Sequence, residues 1–161
     1  MTETRSTTPH PSIAEPDAPQ LVVTRRMAAP PERVFDAWLD PERLRVWMAP
    51  GHLPGSTARV TVDPRVGGAF RIDMIAGDGR VFEHVGTYLE LDRPRRIVFT
   101  WISAGSEQRE SVVRVLLTAV AGGTELRLTH TGLPSEESAR SHEEGWGELV
   151  DQLATLLATT P

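Results

Sequence analysis

The chain has 161 residues, of which 39% are hydrophobic and 24% charged, as is typical of one globular domain with a single core. No apolar run approaches the roughly 18 residues that span a membrane, and no signal-peptide pattern opens the chain, so we expect a cytoplasmic protein without a membrane span. Cysteine is absent, which excludes disulfides and thiolate chemistry. The formal net charge of −5 argues against nucleic acid as a partner.

The first 19 residues differ in composition from the rest of the chain. Residues 1–19 are rich in Thr, Ser and Pro, and they cannot bury enough apolar surface to offset their ordering entropy, so we expect a disordered tail. Residues 20–161 are predicted to form one domain. This domain begins with a β-branched strand, "QLVVTRRMA", and continues with two short helices. Pro31 suits the start of the first helix, Asp40 is a suitable cap for the second, and the second carries Trp47.

From residue 57 onward the hydrophobic pattern has a period of two, which is typical of strands. Six such segments follow one another, and several are separated by short turns that contain glycine. Turns this short join antiparallel neighbours, so the pattern predicts an antiparallel sheet. Arg71 and Asp73 are expected on its convex, solvated face. The residues expected on its concave face include Phe70, Met74, Phe99, Trp101 and His130.

The long strand predicted over 80–91 is ambiguous, because both of its faces carry apolar residues. We favour the face of Phe82, His84, Gly86 and Tyr88 as the inward one, since it groups a hydroxyl, an imidazole and a glycine that leaves space. A bulge that switches the faces midway is the alternative. If the favoured face is inward, His84 and Tyr88 are polar anchors for a ligand; otherwise they lie at an edge or in solvent.

The last segment is predicted to be the longest helix. Ser135 is a suitable N-cap, and the helix is expected to run to about residue 158. Its apolar residues recur at spacings of three and four and make one stripe that must face the sheet. This stripe includes His142, Trp146 and Leu149.

Two glycines, Gly145 and Gly147, flank Trp146 within this helix, although each costs about 1 kcal/mol relative to alanine. We favour the interpretation that the helix backbone approaches the sheet closely at this point. The alternative is a locally soft helix that lifts to admit a ligand. The alternative predicts faster amide exchange over residues 143–149 than in the rest of the helix.

The order of elements predicts an α+β fold in which a curved antiparallel sheet of six to seven strands wraps around the long C-terminal helix. One helix cannot fill the concave face of such a sheet, so a pocket is expected between them. The competing interpretation is that its lining residues pack on one another as ordinary core. The residues expected to line the pocket and bind a ligand are Trp47, Phe70, Met74, His84, Tyr88, Phe99, Trp101, His130, His142, Trp146 and Leu149.

Five segments together resemble a known family: "VFDAWLDPERLRVWMAPG", "GGAFRIDM", "GTYLELDRPRRIVFTW", "GGTELRLTHTGL" and "GWGELVDQLATLL". In this order, over roughly residues 20–158, they are similar to the Hsp90-ATPase-activator-homologue branch of the Bet v 1-like superfamily, also called SRPBCC, START-type or helix-grip. The resemblance implies the helix-grip fold. The superfamily includes lipid carriers, hormone receptors, polyketide cyclases, aromatases and co-chaperone domains, so its fold does not determine activity.

From the pocket and the resemblance we expect the protein to bind a small lipophilic or aromatic molecule. One alternative is a polyketide cyclase or aromatase-like enzyme, in which His84, Tyr88 or His130 would assist proton transfer. A second alternative is a chaperone-partner or stress-response module. The eukaryotic activator carries a further domain before this one, so an Hsp90-type chaperone is a doubtful partner. We expect no metal and no cofactor, because no metal-ligand or nucleotide motif is evident. The sequence does not decide whether the protein forms a homodimer.

Overall fold

The computed structural model describes residues 19–159, so nearly all of the tail expected over 1–19 lies outside the described residues. The chain alternates between short helices, strands and one long helix in the predicted order. The elements are β1 (Leu21–Met27), α1 (Pro31–Ala37), α2 (Pro41–Trp47), β2 (Thr57–Val62), β3 (Ala69–Ile75), β4 (Val81–Asp92), β5 (Arg96–Ser103), β6 (Ser111–Val120), β7 (Gly123–Thr131) and α3 (Glu136–Thr159).

The seven strands form one antiparallel sheet in the order β1-β7-β6-β5-β4-β3-β2. Six of them follow the chain as a meander, whereas β1 pairs with β7, so that Leu21 lies opposite His130 and Met27 opposite Thr124. The sheet curves around α3, and α1 and α2 close one end of the groove. This arrangement confirms the predicted helix-grip architecture.

Local sequence signals set the helix boundaries. The Asp40 side chain accepts a hydrogen bond from the Glu42 amide at 3.0 Å, and Pro41 occupies the first turn of α2. The Ser135 hydroxyl accepts from the Ser138 amide at 3.0 Å at the start of α3. Both predicted N-caps are therefore confirmed. Within residues 19–159, no helix is long and apolar enough to cross a membrane.

The two faces of β4 exchange roles at a bulge. The pairing of β4 with β5 shifts between Tyr88 and Glu90. Before this shift, Gly86 and Tyr88 are buried, and after it Leu91 packs against the core instead. The face that we favoured is therefore inward in the first part of the strand. The bulge considered as the alternative is also present, and beyond it the other face turns inward.

Gly86 in β4 must be a glycine, because neighbouring atoms leave no room for a side chain. A Cβ atom at Gly86 would lie 2.0 Å from the Thr100 carbonyl oxygen and 2.5 Å from the Phe70 ring. The missing side chain therefore lets the Phe70 ring lie directly on the β4 backbone.

The convex face differs from the prediction at one position. Arg71 is exposed as expected, but Asp73 is only 3% exposed. The Asp73 carboxylate accepts hydrogen bonds from Arg71 Nε at 3.2 Å and Arg59 Nη2 at 3.4 Å. Two long arginine side chains on neighbouring strands cover the short carboxylate, so only the arginines are solvated.

Candidate ligand cavity

A cavity of about 620 Å³ lies between α3, strands β3 to β5 and the loop that follows α2. This volume is within the usual range for small-molecule pockets. Its apolar wall consists of Pro50, Leu53, Met74, Phe82, Trp101, Trp146 and Leu149. Its polar groups come from His52, Glu83, His84, Ser103, Ser141, His142, Glu144 and Glu148.

The structure brings six of the predicted pocket residues together on this wall. They comprise one methionine from β3, one leucine from α3, two tryptophans whose rings are in contact, and two histidines. The Trp101 and Trp146 rings lie 4.9 Å apart between centroids, at an interplanar angle of 50°. The six residues are Met74, His84, Trp101, His142, Trp146 and Leu149.

The other five predicted residues lie in the core behind the cavity, away from its wall: Trp47, Phe70, Tyr88, Phe99 and His130. Phe70 packs against both Tyr88 and Phe99 with centroid distances of 5.4 Å. These rings fill one end of the groove, so the cavity occupies only the other end. Burial raises the pKa of the Tyr88 hydroxyl above its usual value, and the phenol stays neutral.

Trp47 is held in the core by a hydrogen bond of its own. Its Nε1 donates to the Ala37 carbonyl at 3.0 Å, and its ring meets Trp38 edge to face at 4.7 Å. Trp47 therefore joins α2 to α1 and does not reach a ligand in the cavity.

His130 supports the wall from behind. Trp146 Nε1 donates to His130 Nδ1 at 3.1 Å, which makes Nδ1 an acceptor and places the proton on Nε2. His130 Nε2 then donates to the Ser111 hydroxyl at 2.7 Å, and Ser111 donates to the Trp101 carbonyl at 2.8 Å. Every donor in this series of hydrogen bonds has an acceptor, and the series ties the Trp146 ring to the sheet. Trp101 takes part only through its backbone carbonyl, and its buried Nε1 has no partner among residues 19–159.

This chain of hydrogen bonds requires a neutral imidazole. His130 is completely buried, and desolvation holds the pKa of its imidazole well below the usual value, with a smaller effect from His142. A second proton on His130 Nδ1 would face the Trp146 N–H, so protonation would also remove a hydrogen bond.

The two histidines on the wall are neutral as well. Burial lowers the pKa of His84, whose Nδ1 lies 3.3 Å from the Ile72 carbonyl oxygen and whose ring lies 4.8 Å from the Trp101 ring. Burial also lowers the pKa of His142. His142 Nδ1 donates to the Ser138 carbonyl at 2.8 Å, which leaves Nε2 as an acceptor on a residue that lines the cavity.

The helix glycines do not mark a close approach of backbones, contrary to the interpretation that we favoured. A Cβ atom at Gly145 would meet nothing within 4 Å, and Gly145 lines the cavity. A Cβ atom at Gly147 would meet only the guanidinium of Arg25, with Nη2 at 3.2 Å. The sheet is too far from these two backbone positions for glycine to be required by space.

Sequence reasoning missed the polar mouth of the cavity. His52, in the loop after α2, hydrogen-bonds Glu148 on α3 at 2.6 Å. Gln152 Nε2 donates to the Trp47 and Ala49 carbonyls at 2.9 and 2.8 Å, so the loop is fastened to α3 at two points. Glu148 and Gln152 lie beside the apolar stripe of the helix. Their spacing of four residues places them on the same side of α3, and this was the available sign that they could bind one loop.

Within residues 19–159, no three histidine or acidic side chains are arranged to hold a metal ion.

A curved antiparallel sheet around a long C-terminal helix, with a cavity between them, defines the helix-grip class of proteins. The family described as "Activator of Hsp90 ATPase homolog 1-like protein" matches residues 28–158. The chain therefore belongs to this family, which confirms the resemblance found in the sequence.

Solved structures agree with this assignment. Protein CV1439 from Chromobacterium violaceum is 30% identical, with a TM-score of 0.78 over 88% of this chain and 98% of that one. The AHSA1 protein SPO3351 from Silicibacter pomeroyi is 28% identical, with a TM-score of 0.74 over 86% and 97%. Protein Ms6760 from Mycobacterium smegmatis is 25% identical, with a TM-score of 0.73 over 90% and 94%. A comparison with curated proteins finds no match.

Proposed function

We propose that the protein binds a small aromatic or lipophilic molecule in the cavity between the sheet and α3. One observation carries this proposal: a space of about 620 Å³ remains beside Trp101 and Trp146, and the Trp146 ring is hydrogen-bonded to the sheet through His130. Apolar walls with a few oriented polar groups are the usual composition of small-molecule sites.

The rigidity of the wall supports binding over collapse. The hydrogen-bond chain through His130 and Ser111 fixes Trp146 against the sheet, so its ring cannot turn into the cavity without leaving buried polar groups unpaired. A ligand thus meets a preformed surface and orders few side chains on binding.

A titration with a neutral aromatic probe, 1-naphthylmethanol, tests the proposal. We expect one molecule to bind per chain by calorimetry, with a change in tryptophan fluorescence and a rise in melting temperature. The Met74→Trp variant places a large ring in the wall and should abolish binding. Val81→Trp is the matched control, since Val81 is 50% exposed and does not line the cavity. Absence of binding by the native protein would refute the proposal.

A second candidate function is catalysis, and one observation favours it. His142 Nε2 is a neutral acceptor in the cavity wall, with its orientation fixed by the Ser138 carbonyl. Such a group can accept a proton from a bound substrate. Turnover of a polyketide-like substrate that is lost in His142→Gln, with binding retained, would establish this function; binding without turnover would leave the first.

A further inference from the structure

The charges around the cavity have one sign. Two glutamates of α3, Glu144 and Glu148, line it, whereas none of the arginines within residues 19–159 does. The chain has 17 basic residues, so this asymmetry is not a consequence of a general lack of cations.

Only part of this negative charge is balanced by the protein. Glu83 also borders the cavity, but its carboxylate pairs with Arg71 at 2.9 Å on the outer side of the sheet. Glu148 hydrogen-bonds His52 at 2.6 Å. Glu144 has no ion-pair partner among residues 19–159. Glu144 and Glu148 are also four residues apart on α3, where two like charges repel each other and weaken the helix.

The aromatic wall points to the same ligand chemistry. Trp101 and Trp146 line the cavity. A cation that reaches the face of an indole ring is attracted by its negative electrostatic potential. The Phe82 ring contributes less, because the Arg80 guanidinium already lies 5.6 Å from its centroid. The wall histidines supply no compensating positive charge, since both are neutral.

We propose that the cavity selects a ligand with an aromatic body and a protonated amine, the amine lying beside Glu144 and Glu148 and the body against the cavity wall formed by Trp101 and Trp146. This inference rests on the proposed binding function and specifies its ligand class. A ligand with a carboxylate in place of the amine would place its charge beside two carboxylates, with no arginine in the cavity wall to pair with it. The cavity therefore discriminates against fatty acids and other anionic lipids.

Three probes with one skeleton test the charge preference: 1-naphthylmethylamine, 1-naphthylmethanol and 1-naphthoate. We expect the amine to bind about tenfold more tightly than the alcohol, from two partly exposed carboxylates and the indole faces. The carboxylate should bind more weakly than the alcohol. Raising the salt concentration should reduce the advantage of the amine, because exposed charges are screened.

Charge-removing variants locate the effect. In Glu144→Gln the amine should lose part of its advantage over the alcohol, measured as the ratio of the two Kd values in the same variant. Glu143→Gln is the matched control, because it removes the same charge from the neighbouring position, outside the cavity.

The outcomes separate the two proposals. Equal binding of the amine and the alcohol, tighter binding of the carboxylate, or an equal effect of Glu143→Gln would overturn the charge preference, while the binding function would stand on the alcohol. Failure of all three probes to bind would overturn both.

Discussion

Gly145→Ala gives a sharp test of why α3 contains glycine beside Trp146. The new methyl group would meet no atom within 4 Å, so it adds no steric strain to the protein. Alanine is favoured over glycine by about 0.8–1.0 kcal/mol within a helix. We therefore expect the free energy of unfolding to rise by about 1 kcal/mol and the melting temperature by roughly 3 °C.

The same substitution should weaken ligand binding. Gly145 lines the cavity, so the methyl group occupies space beside Trp146 that a ligand would use. Crowding a packed site by one methyl group costs about 1 kcal/mol, or roughly fivefold in Kd. Calorimetric titration with 1-naphthylmethanol measures this loss, and thermal unfolding measures the gain in stability.

Gly147→Ala is the control for Gly145→Ala. Its methyl group would meet the end of the flexible Arg25 side chain, and Gly147 does not line the cavity. The Kd should therefore stay unchanged, while the gain in stability should be smaller than for Gly145→Ala, because the methyl group displaces an Arg25 side chain that is bonded to Asp151 at 2.7 Å. A destabilised Gly145→Ala, or equal Kd values for both variants, would refute the reasoning. Uniform amide protection along α3 would in addition exclude a soft segment over residues 143–149.

Three further results are expected. Ser111→Ala leaves the buried N–H of His130 without an acceptor, so the free energy of unfolding should fall by about 2 kcal/mol in denaturant titrations; a change below about 0.5 kcal/mol would contradict this hydrogen bond. Because the pKa of His130 is lowered in the folded state, the unfolded chain binds the extra proton. Stability should therefore be complete above pH 6.5 and fall as the pH drops below it, by at most about 1.4 kcal/mol per pH unit for this group, and a flat melting temperature from pH 7.5 to 5.5 would contradict this. Gly86→Ala forces a methyl group against the Thr100 carbonyl and should cost about 3 kcal/mol or prevent folding, and a variant that melts like the native protein would contradict the contact.

The fold was predictable because its signals are local. Alternation of apolar residues identifies a strand from a few neighbours, and the caps at Asp40 and Ser135 depend on residues two or three positions away. The bulge at Tyr88 was foreseen only as an alternative, because it depends on the pairing of β4 with β5.

The cavity was only partly predictable, because its extent depends on which side chains fill the groove. Alternation correctly placed Phe70 and Phe99 on the concave face, but their contacts with each other, which remove them from the wall, depend on strand register. The function of His130 required its partner Ser111, which lies on the neighbouring strand. The mouth required the loop carrying His52, whose path no periodicity describes.

The pairing of β1 with β7 has a consequence for the order in which the chain folds. Strand β1 is made first, yet its hydrogen-bonding partner is the last strand to be synthesised. The meander from β2 to β7 can form through short turns, whereas β1 must wait for almost the whole domain. On the ribosome, β1 is therefore an unpaired apolar segment until β7 has emerged, and docking of β1 completes the sheet as a late step of folding.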